Sequence, residues 1–221
     1  MRRAHYAAAA WFAALLAASP ALAQDWRQAC LGGRGYEKVR ACNEALKTAP
    51  KDLALRRALA RASMDVGDGI GGTGEYGAIA QERPDDPQAW FDYGTALATD
   101  YRFNEAAVAI ERALTLDPNH RDANKIAVLT YERAGRHAEA YASSLRLAGM
   151  GDAIGMYDVA ESLLEGHGVK SDPPASVPWF RRAAEAGHFG AMAKLAKIYA
   201  EGLYGEKRDP ALAAEWAKRA E

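Results

Sequence analysis

Self-similarity at a fixed spacing constrains this chain more than any other feature. Pro50, Pro84 and Pro118 stand 34 residues apart, and Asp152 occupies the next slot. Five residues before each lie Ala45, Ile79, Ala113 and Leu147, small or apolar as a close helix contact demands. A repeat of this length is one supersecondary unit that cannot bury its apolar face alone, so neighbouring units must stack. Composition says what the unit is made of: the chain holds 50 Ala against 19 β-branched residues. Alanine is the best helix former and β-branched side chains favour strands, so the fold reads as all-α. A formal charge of −1, from 28 basic and 29 acidic residues, argues against a general nucleic-acid binder or a polybasic membrane binder.

The clearest unit runs from Pro87 to His120. Trp90, Phe91, Gly94 and Leu97 recur at helical spacing, Tyr101 to Asn104 make a turn, and Ala106, Ala107, Ile110, Ala113 and Leu114 give a second helix its apolar stripe. Asp117 and Pro118 stop that helix, because proline cannot continue one. With Trp90, Gly94, Ala106, Ala113 and Pro118 at positions 4, 8, 20, 27 and 32, the unit resembles the tetratricopeptide repeat. Arg121 to Ile154 is similar, with Ala127, Tyr131, Gly135, Ala140 and Leu147 in register and Asn124 where Trp90 would recur. Leu53 to Asp86 matches through Leu59, Ala60, Gly67, Tyr76, Ile79 and Pro84, but its second helix would contain Gly69, Gly71, Gly72, Gly74 and Gly77. An interior glycine costs about 1 kcal/mol relative to alanine, so that helix is expected to be short, irregular or ordered by a neighbour.

From Gly155 the spacing lengthens to about 36. Gly155, Val159, Ala160, Leu163, Gly166, Asp172, Trp179 and Ala183 recur as Ala191, Leu195, Ala196, Tyr199, Gly202, Asp209, Trp216 and Ala220. This segment resembles the Sel1-like repeat, a slightly longer relative of the tetratricopeptide unit. The resemblances imply an α-α superhelix, a right-handed solenoid of helix-turn-helix repeats. Its parts would be a capping hairpin over 24–52, three tetratricopeptide-like repeats over 53–154 and two Sel1-like repeats over 155–221. Pro178 inside a helix would cost about 3 kcal/mol. The sequence therefore predicts a helix starting at Ser176 as N-cap, with Pro178 in its first turn and Pro173 and Pro174 in an extended loop. Trp90, Trp179 and Trp216 are expected in the repeat core.

The N-terminus reads differently. Arg2, Arg3 and His5 precede a twelve-residue apolar run, Ala7 to Ala18, followed by Ser19, Pro20 and the small-x-small triplet Ala21, Leu22, Ala23. That order describes a signal peptide over 1–23, while a bilayer span needs roughly 20 apolar residues. Cleavage would remove two arginines and no acid, taking the formal charge to −3, and would deliver a periplasmic or secreted protein with no membrane span. In an oxidising compartment the only two cysteines, Cys30 and Cys42, can pair. They lie on two apparent helices, Gln24 to Leu31 and Tyr36 to Ala49, joined by a turn over 32–35. A redox or metal site is the alternative, but there is no CxxC and no nearby histidine.

Candidate chemistry is thin. Gly69, Gly71 and Gly74 match GxGxxG, yet the dinucleotide fingerprint needs a preceding strand and a βαβ unit, and here a helical segment precedes it. Glu161, Glu165 and His167 are the nearest approach to a metal constellation, without HExxH or paired-histidine spacing. The same two glutamates would be the acid/base pair of an enzyme. No GxSxG elbow is present. No catalytic residue, metal or cofactor is expected.

Surface remains. If the repeat resemblance holds residue by residue, positions 2, 5, 9, 12 and 13 face a concave groove. These include Arg57, Arg61 and Asp65, then Phe91, Thr95 and Thr99, then Lys125, Leu129, Glu132 and Arg133. The set is mixed in charge with one exposed aromatic, Phe91, which suits a protein or peptide partner and no nucleic acid. The resemblance thus implies an adaptor or scaffold, in role similar to envelope regulators and assembly factors. The rival expectation is a self-associating structural protein, since Leu212, Trp216 and Ala220 would leave an apolar edge on the last helix.

Overall fold

The computed structural model describes residues 20–220, and every regular element among them is a helix. The expected signal peptide lies outside the described residues up to Ser19, and residues 20–23 begin the first helix. The chain divides into two compact units between Asp68 and Gly69.

The first unit holds α1 (Pro20–Gly32), α2 (Gly35–Thr48) and α3 (Leu53–Asp65). The turn joining α1 to α2 is tighter than the sequence predicts. Only Gly33 and Arg34 lie between the helices, and the Gly33 amide donates to the Ala29 carbonyl at 2.8 Å. A disulfide joins Cys30 on α1 to Cys42 on α2, with Cα atoms 4.5 Å apart. Both sulfurs are buried beside Ala41, Ala45 and Leu55, under Trp26, Leu46 and Leu59. Asp52 caps α3 by accepting from the amides of Ala54 and Leu55, and its carboxylate also pairs with Arg27 of α1. That guanidinium, with the cap bonds, holds the Asp52 carboxyl below the usual carboxylate range.

The second unit is a stack in which each helix packs on the next: α4 (Gly69–Glu82), α5 (Pro87–Thr99), α6 (Phe103–Leu116), α7 (Arg121–Arg133), α8 (His137–Gly149), α9 (Ala153–Glu165), α10 (Pro173–Glu185), α11 (Phe189–Glu201) and α12 (Pro210–Arg219). The glycines of α4 do not break it. A Cβ at Gly77 would stand 3.1 Å from the Tyr93 ring, and the Thr73 hydroxyl donates to Asp100 at 2.7 Å. Helix α4 is ordered by close approach to α5, which only bare backbone permits, and this offsets its poor intrinsic propensity.

Caps recur with the repeat. Asp86, His120, Asp152 and His188 each precede a first helix and accept amide hydrogens of its first turn. An oxygen or ring nitrogen placed there satisfies donors that have no intrahelical partner. The histidines accept through Nδ1, at 3.2 Å for His120 and 3.1 Å for His188, so the capping nitrogen must be unprotonated. Burial pushes the His188 pKa down, which favours that state.

Helix α10 departs from the sequence expectation. It starts at Pro173 rather than Ser176, with Asp172 as N-cap, and Pro178 lies inside it. Pro173 and Pro174 occupy the first two helical positions, where a missing N–H and a preset φ cost nothing. Pro174 and Pro178 are both exposed, so the carbonyl that Pro178 leaves without an amide donor lies on the solvent face. Ser176 is fully buried and its hydroxyl donates back to the Pro173 carbonyl at 2.6 Å.

The largest core lies among α9 to α12, around Val159, Val177, Phe180, Leu195 and Ile198. Phe180, not Trp179, takes the buried position of α10. Trp179 is half-buried beneath the Arg182 guanidinium at 4.3 Å, and Trp216 is buried with Arg219 stacked at 4.2 Å. Trp90 is also half-buried, its indole nitrogen donating to the Pro84 carbonyl at 3.0 Å. Trp216 of α12 is buried in this core, and Leu212 of the same helix and Ala220 just after it pack against it, partly buried, instead of forming an open edge. Helix α12 turns its apolar stripe onto α11, which removes the feature that motivated self-association.

Candidate functional site

Helices α7 and α9 are the first helices of adjacent repeats, and α8 folds back between them, packing on both. The two first helices leave a cleft of about 380 Å³ lined by Lys125, Val128, Leu129 and Glu132 of α7, Leu147 of α8, and Asp152, Ile154 and Asp158 at the start of α9. Its walls are aliphatic. Leu129 is 53% and Ile154 57% exposed, far more than core residues of that size.

Charge is arranged around those walls. Lys125 Nζ lies 3.4 Å from Asp152 and Arg121 3.2 Å from the same carboxylate oxygen. Glu132 is 2.8 Å from His137 Nδ1. Asp158 has no hydrogen-bond or ion-pair partner among the described residues. Burial, with the nearby carboxylates of Asp152, Glu132 and Glu161, pushes its pKa up from 3.8 to about 6. Both influences act against the ionised form.

That shift has a sign in stability. The folded chain holds the Asp158 proton more tightly than the unfolded chain, so stability contributed by this group falls as pH rises from about 4 to about 6. The ionised carboxylate then costs at most about 3 kcal/mol at pH 7, and less to the extent that water screens it. Asp158→Asn is expected to raise the melting temperature at pH 7 and to leave it unchanged at pH 4. Thermal melts followed by circular dichroism across that range measure the difference, and parallel curves for chain and variant would contradict it.

The structure gathers only part of the sequence-expected groove. Lys125, Leu129 and Glu132 share the cleft, whereas Arg133 is exposed outside its lining. On α5, Phe91 is not a free aromatic: it is half-buried with its ring 4.9 Å from that of His120. Capping geometry brings His120 over it, a contact that one repeat cannot reveal. Thr99 donates to the Thr95 carbonyl at 2.9 Å, and the Thr95 hydroxyl oxygen is buried without a partner. Arg57, Arg61 and Asp65 form one stripe of α3, in the other compact unit. Glu161 bonds Lys194 at 2.8 Å while His167 lies 3.4 Å from Glu165, so these three do not converge on one point. Among the described residues, no group of three or more His, Cys, Asp or Glu is placed to hold a metal ion, and no helix is long and apolar enough to cross a membrane.

A family model for the Sel1 repeat matches residues 153–188 and 190–221, beginning on the first residue of α9. Residues 153–221 carry two Sel1-like repeats at the end of an all-α repeat fold. Over 70 residues the chain is 40% identical to chitin synthase regulatory factor 3 of Schizosaccharomyces pombe, a match covering 32% of the chain and 8% of that protein. Among solved structures, MamA superposes with a TM-score of 0.60 at 21% identity, covering 71% of this chain and 90% of MamA. A Sel1 repeat protein from Oxalobacter formigenes superposes with a TM-score of 0.54 at 19% identity, covering 83% and 77%. At these identities the likeness is one of fold, an all-α superhelical repeat. The chain spans less than a tenth of the length of the Schizosaccharomyces pombe relative.

Val128, Leu147, Asp152, Ile154 and Asp158 of the cleft are absent from the sequence-expected groove. A signal for Ile154 exists: it is the second residue of α9, and continuing the groove register across the change of spacing places it on the binding face. Nothing local marks Asp158 as a cleft residue, since the walls facing it come from α7 and α8.

Proposed function

We propose that the chain is an exported scaffold, periplasmic or secreted, that binds a protein or peptide segment along the first helices of its repeats and acts by binding, without catalysis of its own. The observation that carries this reading is the cleft between α7 and α9, where Leu129 and Ile154 stand open to solvent beside charged groups. Exposed aliphatic clefts rimmed by polar residues mark interaction sites. The basic, apolar, then small-residue order of residues 1–23 supports export, and the Cys30–Cys42 bridge suits an oxidising compartment. A role as envelope regulator or assembly factor fits the name of the Schizosaccharomyces pombe relative, a regulatory factor of chitin synthase.

The test is crosslinking in intact bacterial cells followed by fractionation. Protein partners are expected to copurify from the periplasmic fraction or medium, and to be lost from the Leu129→Ser, Ile154→Ser double variant. An unchanged crosslinking profile in that variant would refute the cleft assignment. Recovery of the chain from the cytoplasmic fraction alone, with residues 1–23 retained, would refute export.

A further inference from the structure

We propose that the cleft between α7 and α9 selects peptide segments that carry a lysine or arginine next to a branched aliphatic or aromatic side chain. This deepens the scaffold reading and rests on it. Val128, Leu129, Leu147 and Ile154 form the apolar surface, and no other side chain covers the exposed parts of Leu129 and Ile154. An incoming aliphatic side chain there removes apolar surface of both partners from water, which favours binding.

Charge complementarity chooses the neighbour of that side chain. The cleft holds three carboxylates, Glu132, Asp152 and Asp158, against one ammonium, Lys125. Asp152 already has Lys125 and Arg121, and Glu132 has His137. Asp158 has no partner among the described residues, although it is partly buried in the cleft wall. A cation supplied from outside answers that group, and an anion placed there meets the unpaired charge of Asp158. Discrimination between basic and acidic segments follows, because like charges brought together across an interface cost several kcal/mol.

Selection of an unbiased phage-displayed peptide library on the whole chain tests this. Enriched sequences are expected to pair Lys or Arg with Leu, Ile, Val or Phe within two residues. A synthetic peptide bearing that motif is expected to lose at least tenfold in affinity on Asp158→Asn, which conserves shape, and on Glu132→Gln, with both variants melting as cooperatively as the chain. Asp158→Lys is expected to reverse the preference toward the same peptide with its basic residues replaced by Glu. Enrichment of acidic or charge-free motifs, or a basic motif whose affinity is unaffected by Asp158→Asn and Glu132→Gln, would overturn the inference. If crosslinked partners are still lost with Leu129→Ser and Ile154→Ser, the scaffold reading survives that failure. Loss of neither peptides nor crosslinks in any cleft variant overturns both.

Discussion

Phe180→Ala is expected to destabilise the second unit by about 3 to 5 kcal/mol, the range for emptying a fully buried aromatic site. Phe180 is 0% exposed at the centre of the largest core, with the Tyr157 ring edge-on at 5.6 Å and Lys194 Nζ over its face at 5.4 Å. The surrounding positions are occupied by Val159, Ala183, Leu195 and Ile198. These belong to three different helices, which cannot close together without losing their own contacts. In a repeat stack stability is carried by neighbouring interfaces, so the loss should concentrate in α9 to α11. Urea denaturation gives the total and amide hydrogen exchange gives its location. Phe189→Ala is the control: Phe189 is 65% exposed, and its removal should change stability by about 0.5 kcal/mol or less. A change under about 1 kcal/mol for Phe180→Ala, or faster exchange spread evenly over α4 to α12, would contradict the assigned core.

Reduction of the Cys30–Cys42 bridge is expected to cost the first unit about 3 kcal/mol, the chain-entropy value for a short loop. The composition of that unit's core explains why the bridge matters. Its buried cluster is Cys30, Ala41, Cys42, Ala45 and Leu55, of which only Leu55 is a large aliphatic, and the other buried apolar residues described in the unit, Ala60 and Ala62, are alanines. Alanine buries little area, and small units with weak cores depend on covalent staples. Melting with and without a phosphine reductant, and of a Cys30→Ser, Cys42→Ser variant, should show the first unit unfolding earlier while the Phe180 core melts unchanged. Equal melting of oxidised and reduced chain would mean that packing alone holds α1 to α2.

Much of this architecture is legible without coordinates. The 34-residue register places helix starts at Leu53, Pro87 and Arg121, and α3, α5 and α7 begin there. Local chemistry explains it: an Asp or His one residue ahead satisfies the first free amides, and proline in the first turn is preset for the helix. Where local rules and packing conflict, the sequence misleads. Pro178 argues for a late start to α10, yet Asp172 caps an earlier one and the freed carbonyl lies on the exposed side of the helix. The glycines of α4 argue against a full helix, yet they are what allows that backbone to approach Tyr93 and Asp100.

The sequence by itself determined an all-α repeat protein, its register, and an N-terminal pair of cysteines on adjacent helices. Each of these follows from periodicity and from interactions within a few residues. The register already put Lys125, Leu129 and Glu132 on one face, but the cleft they share was decided by tertiary structure. Lys125, Leu129 and Glu132 meet Asp152, Ile154 and Asp158 only because α8 returns the chain so that α9 faces α7 across an open gap. The upward shift of Asp158 has the same origin, since desolvation and the field of Glu132 depend on distance through space and not on separation along the chain.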